Sequence, residues 1–251
     1  MFDERRHDID ALRSIALFLL IFYHLAVSFT SVAKWILFVP NNKPIDNIWS
    51  LLSIFNIWRI PLLFIIAGIA LRFSYQNRGV GKLFKERFKR LGIPYLFGVV
   101  TFVPLYIIIS AQFIYGDMSL DDNIGVLITS IFTGGHLWFL INILIYCLLL
   151  IPIIGFISNK KRGYKFVDSI LKIRGGVLLF SIPIILEGYL LDLTAYKEDI
   201  GYGNSYSEYY GTDHGLLLGF IWFLIGIVLT SQGDTFWEYN IKNINIHALI
   251  G

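Results

Sequence analysis

The sequence predicts an all-α protein: a polytopic bundle of about six transmembrane helices with its N-terminus in the cytoplasm. Three observations predict it. The 251 residues are 56 % hydrophobic and 16 % aromatic, with a mean hydropathy of +0.65, which is too apolar for an ordinary soluble domain. Six segments carry the roughly 20 mostly apolar residues that a spanning helix needs. Lysine and arginine are dense in alternate loops and sparse in the others, as expected when basic loops stay in the cytoplasm.

The segments fall at 9–31, 48–71, 92–115, 136–157, 175–193 and 215–232. None has the short alternating pattern of a membrane β-barrel strand. Span 1 has some marks of a signal peptide: Arg5 and Arg6 before it and Ser31-Val32-Ala33 after it. Its apolar run is long for a signal, however, and a histidine interrupts the middle. The loop between spans 2 and 3 holds Arg72, Arg78, Lys82, Lys85, Arg87, Lys89 and Arg90, and that between spans 4 and 5 holds Lys160, Lys161, Arg162, Lys165, Lys172 and Arg174. The remaining loops carry only Lys34, Lys43, Arg59 and Lys197, while Asp117, Asp121, Asp122, Glu198, Asp199, Glu208 and Asp213 collect there. This alternation puts the N-terminus and both basic loops inside. No linker or repeat divides the chain. Residues 1–232 read as one transmembrane domain and 233–251 as a cytoplasmic tail.

The single cysteine, Cys147, can form no intramolecular disulfide and reads as a small packing residue. His7, His24, His136, His214 and His247 show no metal-ligand spacing, so no metal is expected. The outer loop 194–215 is rich in Tyr, Gly and Ser. It reads either as a solvated connector or as a surface for a polar, sugar-like acceptor.

The helix 10-DALRSIALFLLIFYHLAVSF-29 keeps Arg13 and His24 in an otherwise apolar run. They are eleven positions apart, which at about 100° per residue returns to within about 20° of one direction, with about 16 Å between them along the axis. Asp10 precedes Arg13 by three positions and shares its face, so the two can pair. Ionisable groups inside a membrane rarely face lipid, so this line should turn toward the bundle. A neutral imidazole can act as a general base; a guanidinium cannot lose its proton and must meet an anion. A purely structural role for both, His24 bonding a neighbouring helix and Arg13 anchoring the span end, is the competing reading.

An arginine, ten residues and a histidine in the first span resemble the signature of membrane acyltransferase family 3. Further elements agree in order. The stretch 60-IPLLFIIAGIALRFS-74, with Pro61, Phe64 and Gly68, is similar to the family's second span. The segment 87-RFKRLGIPYL-96 resembles its cytoplasmic R-x-x-R element followed by a proline, and 136-HLWFLINILIY-146 resembles its H-L-W-F-L span. Within the family the chain looks most like the glucans biosynthesis protein C-like branch. The resemblance implies transfer of an acyl group, acetyl or succinyl, from acyl-coenzyme A to a hydroxyl of an extracytoplasmic glycan or glycolipid. It implies no bound cofactor: acyl-coenzyme A is a co-substrate. It casts His24 as catalytic base, Arg13 as helping to hold the donor or steadying charge at the thioester, and Arg87 and Arg90 as holders of the coenzyme phosphates. Family members have about ten spans, so this chain is expected to be a C-terminally truncated form.

Other residues stand beside these. Glu187 lies within span 5, where a carboxyl is expensive, and could be structural, orient His24 or bind the acceptor. His136 and Trp138 open span 4; Trp138 suits an interface anchor, and His136 could contact the acceptor. His214 beside Asp213 reads as structural. Membrane lipid is the expected surrounding, in a bacterial inner membrane, and nucleic acid is not an expected partner. Two other functions compete: a transporter or export partner whose path is lined by the polar face and Glu187, and an inactive truncated remnant. A transporter would not need a coenzyme site on its cytoplasmic side.

Overall fold

The computed structural model describes residues 7–36, 38–45, 47–76, 78–117, 119–157, 163–193 and 213–245. They are mostly helical, with no strand among the described residues. The order is α1 (His7–Val27), α2 (Ile48–Gln76), α3 (Val80–Arg87), α4 (Ile93–Val100), α5 (Phe102–Tyr115), α6 (Leu120–Thr133), α7 (Trp138–Leu150), α8 (Ile154–Ile157), α9 (Gly163–Lys172), α10 (Ile182–Leu193), α11 (Asp213–Thr230) and α12 (Asp234–Lys242). Each of the six expected spans lies on an apolar helix. Three runs are long and apolar enough to cross a membrane: His7–Val27, Trp58–Gln76 and Val80–Tyr115. The apolar helices Gly135–Leu150, Gly176–Tyr189 and Gly215–Thr230 are shorter.

The boundaries differ from the sequence reading for local reasons. The third span does not begin at residue 92. It continues α3 through a π-helical turn at Phe88–Gly92, and Pro94 opens α4, where its missing N–H removes no helical bond. Span 4 stops at Leu150, just before Pro152. Helix α6 occupies what was read as an outer loop. Its start is capped by Ser119: the Asp122 amide donates to Ser119 Oγ at 3.2 Å, and that hydroxyl donates to the Asp122 carboxylate at 2.6 Å. Two arginines counted as loop cations lie inside α2: Arg72, because α2 runs on to Gln76, and Arg59, which falls within the second expected span itself; Arg59 is 1 % exposed and Arg72 is 7 % exposed.

The chain forms two compact units, Met1–Leu63 with Phe88–Leu144, and Phe64–Arg87 with Ile145–Gly251. In the first, the buried row Val99, Val103, Ile107 and Ala111 joins α4 and α5 to the turn at Gly135–Leu137 and to α6. Helix α1 buries one stripe, Ile9, Ala16, Tyr23 and Val27, and exposes Leu12, Ile15, Phe18, Ile21, Phe22 and Leu25 on the opposite side. That apolar outer face suits lipid.

In the second unit, the C-terminal half of α2 meets α11 backbone to backbone. A Cβ at Gly68 would lie 2.1 Å from the Phe223 carbonyl oxygen, and one at Gly226 would lie 2.2 Å from that of Ile65. Small residues permit this approach, which is how membrane helices gain packing where there is no hydrophobic drive between them. Tyr146 of α7 seals the contact. Its hydroxyl donates to the Leu216 carbonyl at 2.7 Å, and its ring lies 5.6 Å from those of Phe64, Phe220 and Phe223. Cys147 beside it is a buried free thiol, consistent with a packing role. The amphipathic α9 buries Val167 and Leu171 against Ile225 and Leu229 of α11 and Phe236 of α12, with Lys172 paired to Asp168 on its wet side at 2.7 Å.

Gly68→Val and Gly226→Val should each destabilise the protein by about 1–3 kcal/mol or more, because the clash is with backbone that cannot rotate away. Gly188→Ala, where a Cβ meets nothing within 4 Å, should leave stability unchanged or raise it slightly. Thermal unfolding in detergent measures all three.

Candidate functional site

The site is built on α1. The helix is unbroken from His7 to Val27, so Arg13 and His24 do share a line along it. Both are half-buried and flank the buried stripe. Arg13 lies 4.0 Å from the Asp10 carboxylate, with both side chains about two-fifths exposed. At that exposure the pair orients Arg13 more than it stabilises the fold. His24 is fixed more tightly. Its Nδ1 is 2.7 Å from the Leu20 carbonyl, one turn earlier. A carbonyl only accepts, so Nδ1 carries the proton, and the neutral ring has its lone pair on Nε2.

A second imidazole comes to His24 from far along the chain. His136 follows Gly134 and Gly135, which take φ of 67° and 47°. Only glycine adopts such angles readily. A Cβ at Gly134 would lie 2.9 Å from Tyr95 Oη, and one at Gly135 would lie 2.8 Å from Val103 Cγ1. The turn thus presses against α4 and α5 and aims His136 at α1. The two imidazole centroids are 5.6 Å apart. Phe38 covers both rings, at 5.6 Å and 17° from His24 and at 4.6 Å and 32° from His136. Tyr106 of α5 stacks on His136 at 4.6 Å, with its hydroxyl 3.5 Å from Nδ1. His136 Nε2 is buried and has no hydrogen-bond partner among the described residues.

Tyr23 adjoins this cluster, edge-on to His24 at 5.8 Å. On its ring lies the Arg59 guanidinium, 4.0 Å from the centroid. A desolvated cation over an aromatic face is favourable, by about 2 kcal/mol or more. Arg59 was missed as a site residue by sequence reasoning, which placed it in a loop. The signal was available: an arginine inside an apolar run, two positions before a proline.

The other expected residues fall as follows. Arg87 ends α3, half-buried, and donates to the Ala70 carbonyl at 3.0 Å and to Ser74 Oγ, so part of its guanidinium straps α3 to α2. Arg90 is exposed on the π-helical turn that follows. Glu187 is 5 % exposed in α10. Trp138, the first residue of α7, is half-buried and edge-on to Phe139 at 6.0 Å. Arg72 donates from Nε to Ser231 Oγ at 3.2 Å, joining α2 to α11. Arg5, Arg6, Lys160, Lys161, Arg162 and most of the Tyr-rich loop 194–215 lie outside the described residues, as do the side chain of His214 and the tail from 246. No three His, Cys, Asp or Glu side chains converge among the described residues.

The arrangement is therefore a base-competent imidazole in a membrane helix, a second imidazole beside it and an arginine on the same helix line. The family model described as an acyltransferase domain, family 3, matches residues 6–236. The chain belongs to acyltransferase family 3. Neither the curated proteins nor the solved structures gave a match. This acyltransferase is a membrane protein, and its imidazole pair unites His24 of α1 with His136 of the turn before α7.

Gly135→Ala should strain the turn and displace His136, costing about 1–3 kcal/mol, whereas Gly125→Ala, open on helix α6, should be neutral or stabilising. Thermal unfolding of the two variants side by side checks this.

Proposed function

We propose that this acyltransferase moves an acetyl or succinyl group from acyl-coenzyme A to a hydroxyl of an extracytoplasmic glycan or glycolipid, from a bacterial inner membrane with its N-terminus in the cytoplasm. One observation carries the chemistry: the Leu20 carbonyl holds the proton of His24 on Nδ1, which leaves Nε2 able to take a proton from an acceptor hydroxyl. The freed oxygen attacks the thioester carbonyl carbon, and the C–S bond breaks as the tetrahedral adduct collapses. The imidazolium returns its proton to the departing thiolate. An ester and free coenzyme A are the products.

Arg13, oriented by Asp10 and about 16 Å along the helix from His24, helps to hold the anionic donor rather than the reacting carbonyl. The phosphates of the coenzyme fall to Arg87 and Arg90, since arginine suits bidentate contact with phosphate. Arg87 also bonds α2, so it serves the local structure as well as the phosphates. Trp138, two residues after His136, and Glu187 in α10 are supporting residues. The basic loops of the sequence support the cytoplasmic side for donor entry, and the glycan acceptor and the glucans biosynthesis protein C-like branch rest on motif resemblance.

The deciding experiment is acyl transfer in membranes holding this chain, with radiolabelled acetyl- or succinyl-coenzyme A. Wild type should label a glycan or glycolipid fraction and His24→Ala should not, with equal insertion; transfer by His24→Ala at the normal rate would remove the base assignment. Arg90→Ala should raise the apparent KM for the acyl-coenzyme. Arg87→Ala should raise KM and also lower stability by about 1.5–3 kcal/mol, the scale of a lost charged hydrogen bond.

A further inference from the structure

We infer that His136 is a second catalytic residue: it presents an Nε2–H to the carbonyl oxygen of the thioester while His24 takes the proton of the acceptor. This inference rests on the acyl-transfer reading and deepens it.

The two rings are fixed by different neighbours. His24 is tied through Nδ1 to a carbonyl, which can only accept, so its Nε2 is an acceptor. His136 has its Nδ1 toward the Tyr106 hydroxyl, 3.5 Å away. The 3.5 Å contact admits either sense; we take the hydroxyl as its donor, which puts the proton of His136 on Nε2. The pair then has opposite senses, one acceptor and one donor, at a centroid separation of 5.6 Å. Acyl transfer needs that combination: a base against the attacking oxygen and a donor at about 2.7–3.1 Å from the oxygen on which negative charge develops.

The resting state of Nε2 supports the assignment. It is buried with no hydrogen-bond partner among the described residues, and an unmet buried donor is costly. A group that arrives with the substrate would remove that cost at the moment charge appears. Phe38 occupies the space over both imidazoles, and it stands outside any helix, on a segment held by backbone bonds from Phe38 to Ala33 and from Asn41 to Ser28. The transferred atoms balance as before. His136 forms and releases a hydrogen bond to the oxyanion and exchanges no proton.

Full-length protein in membranes with radiolabelled acetyl- and succinyl-coenzyme A gives the test. His136→Phe keeps a flat ring in the cluster but deletes the donor. His136→Gln loses the ring but can place an amide N–H near the Nε2 position. Tyr106→Phe keeps every ring contact and removes the hydroxyl that assigns the proton. For a transition-state donor, His136→Phe lowers kcat about 10²–10³-fold with KM for the acyl-coenzyme little changed. His136→Gln retains more activity than His136→Phe, and Tyr106→Phe is slower than wild type. A ring that serves only in packing gives the reverse order, with His136→Phe near wild type and His136→Gln impaired; that order overturns the inference. Wild-type transfer that depends on His24 but not on His136 overturns this inference alone. An inserted wild type that transfers from neither donor overturns it together with the acyl-transfer reading.

Discussion

In hydrocarbon no water is at hand to satisfy a polar group, and each unmet one costs several kcal/mol. The helices meet that constraint for the backbone, and they meet it for side chains in a repeated way. Ser14 bonds the Asp10 carbonyl, Thr101 that of Phe97, Thr230 that of Gly226 and Ser231 that of Ile227, each one turn back on its own helix. His24 does the same with Leu20. For a hydroxyl this geometry is only a parking place. For an imidazole it decides the tautomer, because a ring nitrogen bonded to a carbonyl must carry the proton. A general solution to polar groups in lipid thus sets, at one position, the tautomer of the proposed base.

The arginines obey the same constraint by three routes. Arg59 lies on the face of Tyr23, Arg72 bonds a serine on α11, and Arg87 bonds a carbonyl and a serine of α2. None of the three is a freely solvated loop cation, although a count by loop treats them alike. The alternation of basic loops survives because Arg78, Lys82, Lys85, Lys89 and Arg90 remain exposed. The count is sound as a sum and unsound residue by residue. A window of hydropathy cannot tell an arginine that ends a helix from one held inside it by a partner on another segment.

Much of the fold was legible because spans announce themselves by length and apolarity, which are local. The helix α1 with Arg13 and His24 on one line follows from the period alone. The missed helix α6 carried its own local sign, a serine followed three positions later by an aspartate, hidden by attention to hydropathy. The meeting of His24 with His136 was not legible. The two are far apart in sequence, and the turn that joins them depends on paired glycines in left-handed conformation, whose direction no periodicity encodes. Motif resemblance marked both histidines as notable and placed them in separate roles. Only packing against Tyr95 and Val103 brings the second to the first.

The position of the base on its helix follows from competing demands on α1. One face must pack, and Ile9, Ala16, Tyr23 and Val27 do so. The opposite face, with Phe18, Ile21, Phe22 and Leu25, offers nothing but apolar surface. A catalytic group fits neither place. In the packed stripe it would be closed to substrate, and on the outer face it would be an unmet polar group in lipid. The margin between them is the one direction in which a side chain can be held by protein on one side and open to a ligand on the other. Arg13 and His24 both stand on that margin. Their near-identical azimuth, about 20° apart, keeps them there along roughly 16 Å of helix, so the cation and the imidazole lie along one protein edge of α1.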